Sequence, residues 1–414
     1  MKNLQQIKHK IAIFIIIVID TLGFGMIIPI LASEVTQNMG IFSSMSVYTR
    51  HLSYGIILAL VPISFVIGAI ILGYFSDFLG RKRILKISMI FIFISYLLYA
   101  LSFKINSLTL LIIARILNGL MTGNQSVAQA IMADNSSKKV KAKNIAIIAF
   151  AMTFGFTLSP LLGGVLSDNS YVSYFSLTTP FYFAMILILF NFILIHFWII
   201  ETNHNTTFIK IKKITLKQDL RYLFTNYIMI FYLLSFFCFE LVWSLYYQSL
   251  PLILSKVFHY NKVQIGLFSA YIGFYLSIGL LVLLRLLLRV LSLRYTLIIS
   301  FIIGCGSLMI CYYFKTINYL WYFAIPFSII VGLIYAILIT FISDCVTSQK
   351  QGLIMGITDS ILALAFALTG ISSGILVYYY QAFIIFKIAT GLLLLSLLFS
   401  CIPIIKYKNL HKNF

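Results

Sequence analysis

Three ionisable side chains sit deep inside stretches that are otherwise apolar: Asp20, Arg115 and Glu240. A charge at the centre of a bilayer costs at least ~2.5–3.5 kcal/mol on insertion scales, so a chain that keeps one there usually uses it. Asp20 opens a stretch that continues through Gly23 and Gly25 to Pro29. A carboxylate there can load and release a proton as its surroundings change. The glycines permit close helix approach, and Pro29 frees a backbone carbonyl. Arg115 begins a stripe with Gly119 and Gly123 on one helix face. Its guanidinium stays protonated and must find a carboxylate or a polar cavity. An Asp20–Arg115 pair would set the proton affinity of Asp20. The same pair could equally be a purely architectural bridge. Phe236, Glu240, Trp243 and Tyr247 fall on one face of a later segment. A carboxylate among aromatic rings suits an apolar cation, by charge pairing and by cation–π contact. In a chain that is 16% aromatic, such a face also arises by chance. Asp359 enters its segment by about two helical turns and either faces an opening or pairs with loop arginines.

The elements that hold these residues are membrane spans. Of 414 residues, 61% are hydrophobic and 10% charged, against roughly 25% charged in a soluble domain. A span needs about 20 apolar residues. Twelve segments qualify: 11–32, 54–75, 83–103, 108–132, 144–166, 180–200, 225–250, 263–284, 294–314, 318–342, 352–378 and 382–405. Two connections are long, Ser33–Ser53 and Glu201–Thr225. The second divides the chain into residues 1–200, a linker 201–225 and residues 226–414, the layout of two repeated six-span halves. The first apolar run is too long for a signal peptide and is read as an uncleaved span.

The net charge of +20 follows the same layout. With the N-terminus in the cytoplasm, the tails and every second connection hold 23 of the 30 basic residues. The other side holds six, Arg50, Lys104, Lys256, Lys262, Lys315 and Lys387, and Arg115 is within a span. That asymmetry predicts cytoplasmic termini and makes the charge a signature of topology rather than of nucleic-acid binding. The five cysteines and six histidines are scattered, with no metal-ligand spacing, no HExxH and no phosphate loop. No cofactor, no metal and no enzymatic centre is expected, and any pumping must draw on an ion gradient or another subunit.

Between the second and third spans lies Gly73-Tyr-Phe-Ser-Asp77-Phe-Leu-Gly80-Arg81-Lys82-Arg83. In the fifth, Gly155, Ser159, Pro160, Gly163 and Gly164 combine a small-residue face with a proline that should bend the helix. With the Asp20–Pro29 and Arg115–Gly123 stretches and Gln351–Gly356, these resemble the 12-span drug:proton antiporters of the major facilitator superfamily, tetracycline-efflux types included. There are departures: Ala32 stands where a second proline often follows, Asn118 replaces a common glutamine, and the loop with Arg285, Arg289 and Arg294 lacks a counterpart of Asp77.

The resemblance implies an all-α membrane protein of twelve helices in two pseudo-symmetric six-helix halves around a central cavity. Proton-coupled export of small amphipathic compounds by alternating access, from a bacterial inner membrane and as a monomer, is the expected function. Asp20 and Arg115 would handle protons. Glu240, Phe236, Trp243 and Tyr247 would meet the substrate. Gly73, Asp77, Gly80, Arg81, Lys82 and Arg83 would latch one end state, with Asp77 paired to loop cations and to the start of span eleven. Gly155, Ser159, Pro160, Gly163 and Gly164 would hold the halves together on the outer side. A metabolite carrier of the same superfamily, or a non-transporting sensor or scaffold, is the alternative.

Overall fold

The computed structural model describes residues 2–134, 138–170, 172–201, 227–346, 351–379 and 382–410. Most of the expected linker, 202–225, therefore lies outside the described residues, as does the side chain of Gln351. The described residues are helical almost throughout, as a chain in hydrocarbon must be if its backbone is to satisfy its own polar groups.

The first apolar segment is two helices, α1 (Lys2–Gly25) and α2 (Ile27–Gln37), interrupted at Met26. Pro29 cannot donate to the carbonyl of Gly25, and the ladder breaks just before it. α3 (Val47–Leu79) starts well ahead of its apolar run because Ser46 caps it, accepting from the Thr49 N–H at 3.2 Å. The connection expected over Ser33–Ser53 is consequently only 38–46, with one 3-10 turn at Gly40–Phe42. α4 (Arg81–Lys104) follows after the single residue Gly80. The fourth segment is split at Gly123 into α5 (Leu108–Thr122) and α6 (Asn124–Asp134). α7 (Lys138–Leu166) carries Pro160, and α8 (Thr179–Trp198) completes the first six segments.

The second six are α9 (Tyr227–Phe258), then α10 (Lys262–Ile278), which runs through a π turn at Gly279–Leu283 into α11 (Leu284–Leu287). α12 (Leu293–Phe314), α13 (Ile317–Asp344), α14 (Gln351–Tyr379) and α15 (Ile384–Leu410) follow. Among the described residues, ten stretches are long and apolar enough to cross a membrane. The other two of the twelve are the segment broken at Gly123 and the shorter apolar stretch Phe150–Leu166 of α7.

The helices form two compact units. One comprises Met1–Phe208 with Pro251–Gly273; the other comprises Ile209–Leu250 with Phe274–Phe414. The far end of α9 and most of α10 thus pack with the first six segments. In that unit Thr36 and Ser255 share a hydroxyl–hydroxyl hydrogen bond at 2.5 Å, joining α2 to α9. Most exposed large side chains are aliphatic or aromatic, Ile70, Ile186, Phe197 and Leu398 among them, which is the surface a bilayer solvates.

Candidate functional site

In the first unit the functional residues are placed by helices that approach at glycine. A methyl group on Gly68, Gly119 or Gly123 would overlap the backbone of the facing helix, so α3 and α5 touch main chain to main chain. That approach puts Arg115, fully buried, against α3, where its Nε donates to the Ile57 carbonyl at 2.9 Å. The next carbonyl, that of Leu58, is the one Pro62 leaves without a helical donor. Neither Nη of Arg115 has a hydrogen-bond partner. Its Cζ lies 5.9 Å from the Phe24 ring centroid, and Tyr99 flanks it.

Asp20 is 3% exposed, and neither carboxylate oxygen has a hydrogen-bond partner. Arg115 does not pair with it in this structure. Asn124, the first residue of α6, is a polar neighbour of Asp20, and Tyr96 lies within electrostatic reach of both Asp20 and Arg115. Asn118 donates to Ser95 at 3.1 Å beside them. The expected two-residue site is therefore a buried polar cluster drawn from three segments. Spacing alone does not single out Tyr96, Tyr99, Ser95 or Asn124. A signal for them exists, since Ser95, Tyr96 and Tyr99 crowd one turn of an apolar span and Asn124 follows the Gly123 break.

The glycines and Ser-Pro of α7 use two faces. Gly155 packs on Val18 and Thr21, Ser159 donates through its hydroxyl to the Leu22 carbonyl, and a methyl on Gly163 would overlap the Met26 carbonyl. These contacts clamp α7 onto the break between α1 and α2. On the other face Gly164 meets Lys262 and Val263, and Pro160 meets Gly266 of α10.

At the opposite end of this unit, Gly80 joins α3 to α4 with φ +91°, a conformation that disfavours side chains. Glu201 occupies the space a methyl would need. Its carboxylate accepts from the N–H groups of Arg81, at 2.9 Å, and Lys82, at 3.1 Å, capping α4. Lys82 Nζ donates to the His196 carbonyl at 2.7 Å, and Lys86 Nζ lies 3.2 Å from His196 Nδ1. Asp77 and Arg83 are exposed, and Gly73 accepts through its carbonyl from Ser76. Glu201, expected to begin a linker, is instead an integral part of this loop.

In the second unit Glu240 is 1% exposed, and neither carboxylate oxygen has a hydrogen-bond partner. Asp359 and Tyr335 lie within electrostatic reach of it. Phe236 and Tyr247 are buried and Trp243 is half-buried. Their rings divide between two neighbours: Trp243 meets Tyr247 at 5.4 Å, and Phe236 meets Tyr335 at 5.9 Å. A polar seam fixes α9 against α14. Gln248 donates to the Phe366 carbonyl at 3.0 Å and to Thr369 at 2.9 Å; Thr369 donates to Ser244 at 2.8 Å and Ser244 to the Glu240 carbonyl at 2.6 Å. Asp359, expected at an opening or beside loop arginines, is exposed and lies within electrostatic reach of Glu240 and Tyr335. Among the described residues, no group of histidine, cysteine or carboxylate side chains could hold a metal ion, and all five cysteines are free.

A class B tetracycline resistance protein of Escherichia coli is 30% identical over 195 residues, 47% of this chain and 45% of that one. The quinolone resistance protein NorA of Staphylococcus aureus is 27% identical over 244 residues, 58% of each. The chain thus aligns with about half the length of these relatives. Among solved structures, a D-xylose–proton symporter superposes with a TM-score of 0.74 over 94% of this chain and 97% of that one, at 16% identity. The human organic anion transporter MFSD10 superposes with a TM-score of 0.66 over 95% and 99%, at 17% identity. Those likenesses carry the fold, twelve helices in two halves. The profile of the Major Facilitator Superfamily matches residues 13–370, and the chain belongs to that superfamily of transporters.

Proposed function

We propose that this integral, multi-pass transporter exports small amphipathic compounds in exchange for protons, by alternating access. One observation carries the reading: each compact unit holds a buried carboxylate, Asp20 in one and Glu240 in the other, with no hydrogen-bond partner for either oxygen. A scaffold gains nothing from two such groups, each costly to bury. A carboxylate without a partner is a place where a proton or a cation binds. The tetracycline and quinolone resistance proteins among the relatives support export of drug-like compounds.

Asp20 carries the proton, tuned by Arg115 through the Tyr96 and Tyr99 hydroxyls. Glu240, Phe236, Trp243 and Tyr247 meet the substrate, with Asp359 adding a second negative charge. Opening toward the Thr36 end requires that the Thr36–Ser255 bond and the Gly164–Lys262 contact part. Gly73, Asp77, Gly80, Arg81, Lys82 and Arg83, with Glu201, hold the loop end in one state. The termini and residues 202–225 face the cytoplasm between two six-helix halves, in the inner membrane of a bacterium. Impermeant thiol labelling of single cysteines at positions 205–215 from outside intact cells should accordingly fail.

The test is accumulation of a fluorescent lipophilic cation in cells with and without the protein, each with and without an uncoupler. The reading predicts lower accumulation with the protein and loss of that difference with the uncoupler. Equal accumulation across amphipathic dyes of either charge would redirect the assignment to a metabolite carrier.

A further inference from the structure

The far end of the first unit contains a cavity whose lining includes Thr36 and Ser255, the pair that parts in the opening proposed above. It has a volume of about 220 Å3 and lies where the end of α2, the first turn of α3 and the end of α9 meet. Arg50, His51, Lys256 and His259 line it, with Val35 and Val47 as apolar wall. Among the described residues, no carboxylate lines it. The nearest candidate in sequence, Glu34, turns its carboxylate toward Gly40 and is within electrostatic reach of Lys262.

The state of Arg50 is the decisive observation. It is only 8% exposed, yet its Nε and Nη1 are buried without any hydrogen-bond partner. A cation that served to cap the carbonyl ends of α2 or α9 would spend its N–H groups on those carbonyls. Arg50 leaves these two unspent. Guanidinium donors buried without acceptors are costly, the more so because they are charged. A second basic side chain, the exposed Lys256, stands at the same cavity. Like charges gathered without an acid attract an oxyanion, and arginine's fork of donors fits a tetrahedral or planar one in two bonds.

We propose that this cavity is a binding site for a phosphate group bearing an apolar substituent, with Arg50 and Lys256 as its anchoring residues. The phosphate belongs either to the headgroup of an anionic phospholipid or to a soluble phosphate compound. The exposed Val47 would accept the organic part in both cases. The proposal does not depend on proton-coupled export.

The test uses the full chain in a neutral detergent and a phosphate-free buffer at fixed ionic strength. One arm titrates inorganic phosphate; the other titrates phosphatidylglycerol in mixed micelles, with diacylglycerol as the uncharged control. The readout is the thermal unfolding midpoint. The expected result is saturable stabilisation in at least one arm, with no response to diacylglycerol. Response to the lipid alone identifies a headgroup site, and response to inorganic phosphate identifies a soluble ligand. Lys256→Gln should weaken the response at least tenfold, or about 1.4 kcal/mol, and Arg50→Gln should abolish it. Lys256 is exposed, so its variant should fold whatever becomes of Arg50→Gln. No saturable response in either arm, or one unchanged in Lys256→Gln, would overturn the proposal.

Discussion

Replacing Arg115 with methionine separates a structural role from a functional one. The side chain is fully buried and makes one hydrogen bond, from Nε to the Ile57 carbonyl. Losing a charged hydrogen bond costs about 1.5–3 kcal/mol. Against that, both Nη groups are buried without partners, and removing a desolvated ion recovers several kcal/mol. Methionine is flexible and long enough to fill much of the same space. These terms nearly cancel, so Arg115→Met should alter stability by no more than about 1 kcal/mol, a shift of roughly 2 °C or less in thermal midpoint for a chain of this size. Were Arg115 an architectural counter-ion to Asp20, the substitution would strand a buried carboxylate and cost about 3–5 kcal/mol. Transport should fall to background in the same protein, because no neutral side chain can modulate Asp20. The assay is thermal unfolding in detergent beside uphill transport in vesicles. A loss above about 3 kcal/mol, or wild-type transport at matched abundance, would refute the reasoning.

Gly163→Ala should cost about 1–3 kcal/mol, because its methyl would overlap the Met26 backbone, which cannot yield as a side chain can. Gly306→Ala meets nothing within 4 Å and should leave the unfolding midpoint within about 0.5 kcal/mol of wild type. Glu201→Ala removes the acceptor of the Arg81 and Lys82 N–H groups; it should cost about 0.5–2 kcal/mol and speed amide exchange in the first turn of α4. Glu240→Gln should weaken binding of cationic substrates and spare neutral ones of similar size, read as paired dissociation constants; equal weakening of both would assign Glu240 to the proton path.

Local spacing alone makes much of this molecule legible. The Arg115–Gly119–Gly123 stripe predicts a close helix contact because residues four apart share a face, and α3 occupies it. The glycine and proline pattern of the fifth segment predicts tight packing for the same reason. What sequence cannot supply is the identity of partners far along the chain. Glu201 caps α4 from about 120 residues away, and nothing local marks it. Asp359 on α14 comes within electrostatic reach of Glu240 on α9, two helices that Gln248 and Thr369 join by a hydrogen bond. Opposite charges in hydrocarbon attract, which is why Arg115 is expected at Asp20. The protein gives its Nε to a backbone carbonyl instead, with Tyr96 within electrostatic reach of both. Segment ends also differ from expectation where polar turns extend a helix, as at Ser46, because hydropathy marks the bilayer and not the helix.

Proton movement during transport bears most directly on the claim that this chain exchanges protons for its substrate. Purified protein in sealed vesicles, with a pH dye on the side to which protons are carried, would report proton release when a lipophilic cation is added and uphill uptake when a pH gradient is imposed. The account predicts that wild type shows both. Asp20→Asn should show neither, while still binding the cation. Uphill uptake by Asp20→Asn under a pH gradient, or wild-type transport with no proton movement, would contradict it.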